Sequence, residues 1–128
     1  MNQLTHFAIH AGRVKRAAAF YERVFNWKSR SYAEAGVTDD EFVQIFGEDG
    51  KLYGAIQARK FNPVKTDILG FECSIEVADV DAAASSVESA GGKIVMRKTA
   101  IPGVGWVIKF LDTEGNLCCA VHYDRTAK

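Results

Sequence analysis

His6-Phe7-Ala8-Ile9-His10 returns later in the chain as Glu72-Cys73-Ser74-Ile75-Glu76, an offset of 66 (72 minus 6) that decides how the whole sequence is read. Working outward, Ile9 meets Ile75, Val14 meets Val80, Ala17 and Ala18 meet Ala83 and Ala84, and Glu22 meets Glu88. One indel later the offset becomes 65 (115 minus 50), laying Asp49-Gly50-Lys51-Leu52 on Glu114-Gly115-Asn116-Leu117. A repeat of this size predicts two copies of one supersecondary unit related by a pseudo-twofold axis. The copies differ at one telling place, where His6 is answered by Glu72.

Leu4 to Ala11 alternates Phe7/Ile9/Ala11 against His6/Ala8/His10, the period of a strand with one apolar face. Val14, Ala17, Ala18, Tyr21, Val24 and Phe25 then recur at three and four, which predicts a helix covering the Phe7/Ile9 face. Strand-like runs follow at Lys28 to Ala33, Phe42 to Gly47 and Lys51 to Arg59, with turn signals at Ala35-Gly36 and Glu48-Asp49-Gly50. The second copy reads as strand 69–78, helix 80–90 and strands near 93–99, 104–111 and 117–123, with Asp79 as N-cap and Gly91-Gly92 as helix stop. Pro63 sits in the linker between a module of about 1–62 and one of about 67–128, together a single domain over 1–128. One helix protects one face of a βαβββ sheet and leaves the other open, so two modules must pair. The predicted fold is α+β: two tandem βαβββ modules forming a curved eight-stranded sheet around a cleft, helices on the outer face. The faces carrying His6/Ala8/His10 and Glu72/Ser74/Glu76 would line that cleft.

The 128 residues hold 16 Lys and Arg against 16 Asp and Glu, and 48% are hydrophobic, enough for a sizeable core. With no net charge and no basic block, nothing marks a nucleic-acid surface, and no apolar run reaches the roughly 20 residues of a membrane span. The polar start Met1-Asn2-Gln3 is unlike a signal peptide, so a cytoplasmic protein is expected. Its expected partners are a small molecule or a second copy of itself. Cys73, Cys118 and Cys119 read as reduced thiols, since they are odd in number and two are adjacent. No phosphate-cradling loop precedes a helix, because Gly103-Val104-Gly105 leads into a strand; nucleotide cofactors are not implied.

His6 and Glu72 admit two readings: a proton-transfer couple in which a carboxylate orients an imidazole, or a buried ion pair between central strands. His10, Ser74 and Glu76 share the same faces and are candidate cleft contacts. Among the large aromatics, Trp106 follows the flexible Pro102-Gly103-Val104-Gly105 and is the candidate for the cleft rim. Cys118 and Cys119 must point to opposite faces of the last strand, one under the helices and one toward the cleft.

With the strand-initial His6 stand Ala19-Phe20-Tyr21-Glu22-Arg23-Val24-Phe25-Asn26-Trp27, Gly105-Trp106 and Asp112-Thr113-Glu114-Gly115-Asn116. On these motifs the chain resembles the vicinal oxygen chelate superfamily, which includes glyoxalase I, extradiol dioxygenases and bleomycin-resistance proteins, over nearly its whole length. The resemblance implies a metal held from the first and last strands of each module, at His6, Glu72, Gly54 and Cys119, counting four residues on from each turn glycine. Gly54 breaks this set and Cys119 brings a soft thiolate, so a divalent metal is disfavoured and a three-ligand site of His6, Glu72 and Cys119 is what remains. The implied function is a glyoxalase-related small-molecule-binding protein, an isomerase or lyase acting on an oxygen-bearing substrate through His6 and Glu72. Its alternatives are a non-catalytic binder that sequesters a drug or metabolite, and a metal-dependent dioxygenase. A homodimer is implied by the same resemblance.

Overall fold

The computed structural model describes residues 1–32 and 36–128. Its elements are β1 (Leu4–Ala11), α1 (Val14–Phe25), β2 (Lys28–Ser31), β3 (Phe42–Phe46), β4 (Leu52–Ala58), β5 (Phe71–Glu76), α2 (Val80–Ser89), β6 (Lys93–Ile101), β7 (Gly105–Leu111) and β8 (Leu117–Tyr123). The eight strands form a mixed sheet and the class is α+β, as the repeat predicts. Sequence reasoning missed a 3-10 turn at Arg59–Phe61. The predicted end of β2 at Ala33 and the turn at Ala35 lie outside the described residues. Two compact units are present: His6–Glu72, and Cys73–Lys128 together with Met1–Thr5.

In the unit His6–Glu72 the strands lie in the order β2-β3-β4-β1. β1 and β4 run parallel, with Phe7 beside Gly54, Ala8 beside Ala55, Ile9 beside Ile56 and His10 beside Gln57. The apolar face of β1 does what its alternation predicts: Ile9 and Ala11 pack with Val43, Ile45 and Ile56 under Val14 and Ala18 of α1, flanked by Phe7, Ala17, Tyr21 and Trp27. Arg13 starts α1 without a side-chain cap, whereas Asn26 closes it in the left-handed region at φ 58°, its N–H reaching the Glu22 carbonyl at 2.9 Å. Val24 and Phe25, expected in the buried stripe, are exposed; the Phe25 ring, in the last turn, contacts the Tyr21 and Trp27 rings.

In the second unit the order is β5-β8-β7-β6, again with a parallel pair, β5 and β8, and an antiparallel remainder. Asp79 caps α2 as its residue type predicts, accepting from the Asp81 and Ala82 N–H groups at 2.8 and 3.3 Å. Val80 anchors α2 on Ile108 and Ala120, with Ala83, Ala84, Ile94, Trp106 and Phe110 around them. Met1–Thr5 belong here through backbone bonds between Asn2 and the Glu76 carbonyl (2.7 Å) and between Glu76 and the Gln3 carbonyl (2.9 Å).

The turns before β4 and β8 keep the repeat offset of 65: Gly50 and Gly115 occupy the same place at φ +76° and +84°, a conformation that favours glycine. Beyond the turns the offset changes. β3 pairs Ile45 with Gly54 but Phe46 with Leu52, leaving Tyr53 as a bulge, while β7 and β8 pair without a break. The extra residue makes Ala55 the register counterpart of Cys119, since Ala8 pairs with Ala55 and Ser74 with Cys119, an offset of 64 (119 minus 55).

Candidate functional site

One face of each half-sheet is taken by a helix, and the candidate residues distribute between the faces by strand alternation. In the unit His6–Glu72 the face away from α1 carries His6, Ala8 and His10 on β1 and Ala55 and Gln57 on β4. His6 is half-buried, while His10, Gln57 and Glu72 are at most 7% exposed. The imidazole Nε2 of His10 lies 3.2 Å from the Glu72 carboxylate Oε1, a pair enclosed on both sides. His10, expected as an outlying cleft contact, is thus a member of the polar centre through Glu72. With Nε2–H donating to the carboxylate, the neutral tautomer leaves a lone pair on Nδ1, the arrangement by which a carboxylate orients a histidine base.

Three buried polar atoms here have no hydrogen-bond partner among the described residues: His10 Nδ1, Gln57 Nε2 and Arg59 Nε. Each such group costs about 1–3 kcal/mol when left unsatisfied, and buried polar groups are normally paired, so these three call for an explanation. Gln57 neighbours His10 in the β1/β4 register, and Arg59 follows two residues on, its guanidinium nitrogen 3.1 Å from where a Cβ on Gly12 would stand. Gln57 and Arg59 escaped the sequence reading because the repeat offers no polar counterpart: Val121 stands opposite Glu76 where Gln57 stands opposite His10. The available signal was a single amide inside the apolar run Ala55-Ile56-Gln57-Ala58.

Ser74 and Glu76 are half-buried on β5, beside Cys119 and Val121 respectively. Cys119 faces away from α2, as alternation predicts; it is 5% exposed, clusters with Val107, Val121 and Met96, and stands in register with Ser74 and Lys109. None of the three cysteines is in a disulfide. Trp106, expected at the cleft rim, instead packs in the cluster under α2, its register beside His122 placing it on the Ile108 side of β7. Its indole Nε1 donates to Asp124 at 3.2 Å, and the Thr126 hydroxyl and N–H bond the same carboxylate, holding Asp124 below the ordinary carboxylate range. The Asp112-Thr113-Glu114-Gly115-Asn116 motif is a turn: Asp112 accepts from the Asn116 N–H and side-chain amide and from the Glu114 N–H, which lowers its pKa.

The family model for the Glyoxalase/Bleomycin resistance protein/Dioxygenase superfamily matches residues 3–119. The chain belongs to this superfamily. Among solved structures it resembles a Mn(II)-bound glyoxalase from Novosphingobium aromaticivorans, at TM-score 0.66 and 18% identity over 98% of this chain and 40% of that one. It resembles a methylmalonyl-CoA epimerase from Streptomyces coelicolor in complex with 2-nitronate-propionyl-CoA, at TM-score 0.62 and 18% identity over 96% and 98% of the two chains. An NAD-dependent benzaldehyde dehydrogenase from Legionella pneumophila matches at TM-score 0.63 and 12% identity over 93% and 98%. At these identities the likeness is one of fold. No curated protein matches the chain.

The metal that the superfamily implies does not fit the residues present. Gly54 is on the wrong face: a Cβ there would stand 2.0 Å from the Phe7 carbonyl oxygen, because the bulge at Tyr53 shifts β4 by one residue and a one-residue shift exchanges faces. Its face counterpart, Ala55, has no donor atom, and Cys119 would bring a soft thiolate to the set. Glu72 already accepts from His10. Among the described residues no group of three or more His, Cys, Asp or Glu side chains is placed to hold an ion.

Proposed function

We propose that this superfamily member acts on a small oxygen-bearing molecule by proton transfer, as an isomerase or lyase, with His10 and Glu72 as its acid–base couple. The observation that carries the reading is the 3.2 Å contact from His10 Nε2 to Glu72, which leaves Nδ1 buried and without a protein partner. In this reading Glu72 fixes the tautomer and stabilises the imidazolium formed when Nδ1 takes a proton, and an amide N–H of Gln57, the register neighbour of His10, steadies the oxygen on which charge develops. His6 shares the face and is assigned to substrate contact beside this couple. The likeness to an epimerase and a glyoxalase is consistent with proton-transfer chemistry but does not carry the proposal.

The test is solvent deuterium incorporation next to the carbonyl of small ketones and oxo acids. Incorporation that falls by about 100-fold or more in His10→Gln, with the fold intact by circular dichroism, supports the couple. No incorporation by the unmodified protein would remove it. A second reading, a non-catalytic binder, is favoured by the complete enclosure of the His10 side chain, 0% exposed. It predicts ligand binding that His10→Gln leaves in place and no exchange at all. In either case we assign a homodimeric, cytoplasmic protein; light scattering after size exclusion that finds only monomer overturns the dimer.

A further inference from the structure

Gln57 Nε2 and Arg59 Nε are buried and have no hydrogen-bond partner among the described residues. A half-buried guanidinium normally holds an anion, and a planar one suits a carboxylate. Gln57 lies on β4 in register with His10, one strand spacing of about 5 Å to the side, and Arg59 follows it at the start of the 3-10 turn. Gly12, two residues past His10, leaves room for the Arg59 guanidinium to lie against the chain, 3.1 Å from the Cβ position a larger residue would fill. The row therefore reads, in order, as a lone pair on His10 Nδ1, an amide donor and a cationic donor.

We infer that the substrate is a small hydroxy or oxo acid. Arg59 and Gln57 receive its carboxylate and neighbouring oxygen, and its acidic hydrogen is turned toward His10 Nδ1. This rests on the proton-transfer reading above for the role of His10, but the acid site itself needs only the two donors. Between this row and His6 on the same face stand Ala8 and Ala55, whose methyl groups offer no hydrogen bond.

Ligand-detected NMR titration of the full chain with pyruvate and lactate, against pyruvamide and lactamide, tests the inference. The acids should bind at least about tenfold more tightly than their neutral amides, the scale of one charge-assisted contact. Arg59→Gln should remove that preference while leaving the amides unchanged, and Arg59→Lys should restore part of it. Acid and amide binding alike, or neither binding, overturns the inference, and because that comparison uses the unmodified protein it stands even if Arg59→Gln fails to fold. Acid binding that depends on Arg59 without deuterium incorporation would refute the proton-transfer role and leave the acid site standing. His10-dependent exchange of hydroxyacetone with no preference for acids would do the reverse.

Discussion

The two units share a topology and differ in what they place on the sheet face away from the helix. In His6–Glu72 that face is polar and buried, with His10, Gln57 and Glu72 around two alanines. In the other unit the corresponding face sets a small apolar cluster of Val107, Cys119, Val121 and Met96 beside the half-buried Ser74, Glu76 and Lys109. The helix-covered faces, by contrast, are alike: Ile9, Val14, Ile45 and Ile56 in one, Val80, Ile108 and Ala120 in the other. Duplication has kept the half that makes a core, because apolar packing tolerates little change in volume and pattern. It has let the other half diverge, one copy toward a buried His10–Glu72 pair and one toward a small apolar cluster with half-buried polar neighbours.

The strongest test of that contrast is to truncate the matching core residues. Ile56→Ala and Ile108→Ala, each 0–1% exposed in the parent, should both lose about 2–5 kcal/mol in urea unfolding, and a loss in one far below the other would break the claim of equivalent cores. On the opposite faces the effects should separate. Glu72→Ala removes the partner of a buried imidazole and should cost about 3 kcal/mol, whereas Cys119→Ala takes one sulfur from an apolar cluster and should cost about 1 kcal/mol. Equal losses would mean that the polar centre is ordinary packing. The helices sharpen the comparison at smaller scale: Asp79→Ala should lose about 1 kcal/mol with its cap, while Arg13→Ser, at an uncapped start with extended backbone, should gain up to about 1 kcal/mol.

The smallest effect is one of pH, and it belongs to the unit His6–Glu72. The Lys60 ammonium beside Glu41, with the Thr38 N–H, holds the Glu41 carboxyl down from 4.5 to about 2. A lowered carboxyl favours the folded state above its unfolded pKa, and that contribution is lost as pH falls from 4.5 toward 2. The stability gap between the parent and Glu41→Gln, followed by thermal unfolding, should therefore be constant above pH 4.5 and close on acidification; a gap that persists at about pH 2 would contradict the assignment.

Much of this was legible in the residues. The bounds of β1 and α1 follow from alternation at Phe7/Ile9/Ala11 and the spacing of Val14, Ala18 and Tyr21, because periodicity reports which side of an element is wet. The cap at Asp79 follows from residue type. The candidate site was legible only as a face. Glu72 was singled out, but its contact with His10, four residues beyond the strand position matched to it by the repeat, depends on where a side chain reaches across neighbouring strands. Trp106 was placed on the wrong side because the glycines before it say that the chain bends and not which way the next side chain turns.

The sequence alone determined that there are two βαβββ copies, which faces are apolar and which residue types stand at the point where the copies differ, since these depend on local periodicity and internal comparison. Only the tertiary structure decided the register. A single bulged residue at Tyr53 moves Gly54 off the candidate face and brings Ala55 and Gln57 onto it, and no local propensity encodes that shift. Side chains in a strand alternate with period two, so one residue of slip changes every neighbour, and with it the chemistry that the face can perform.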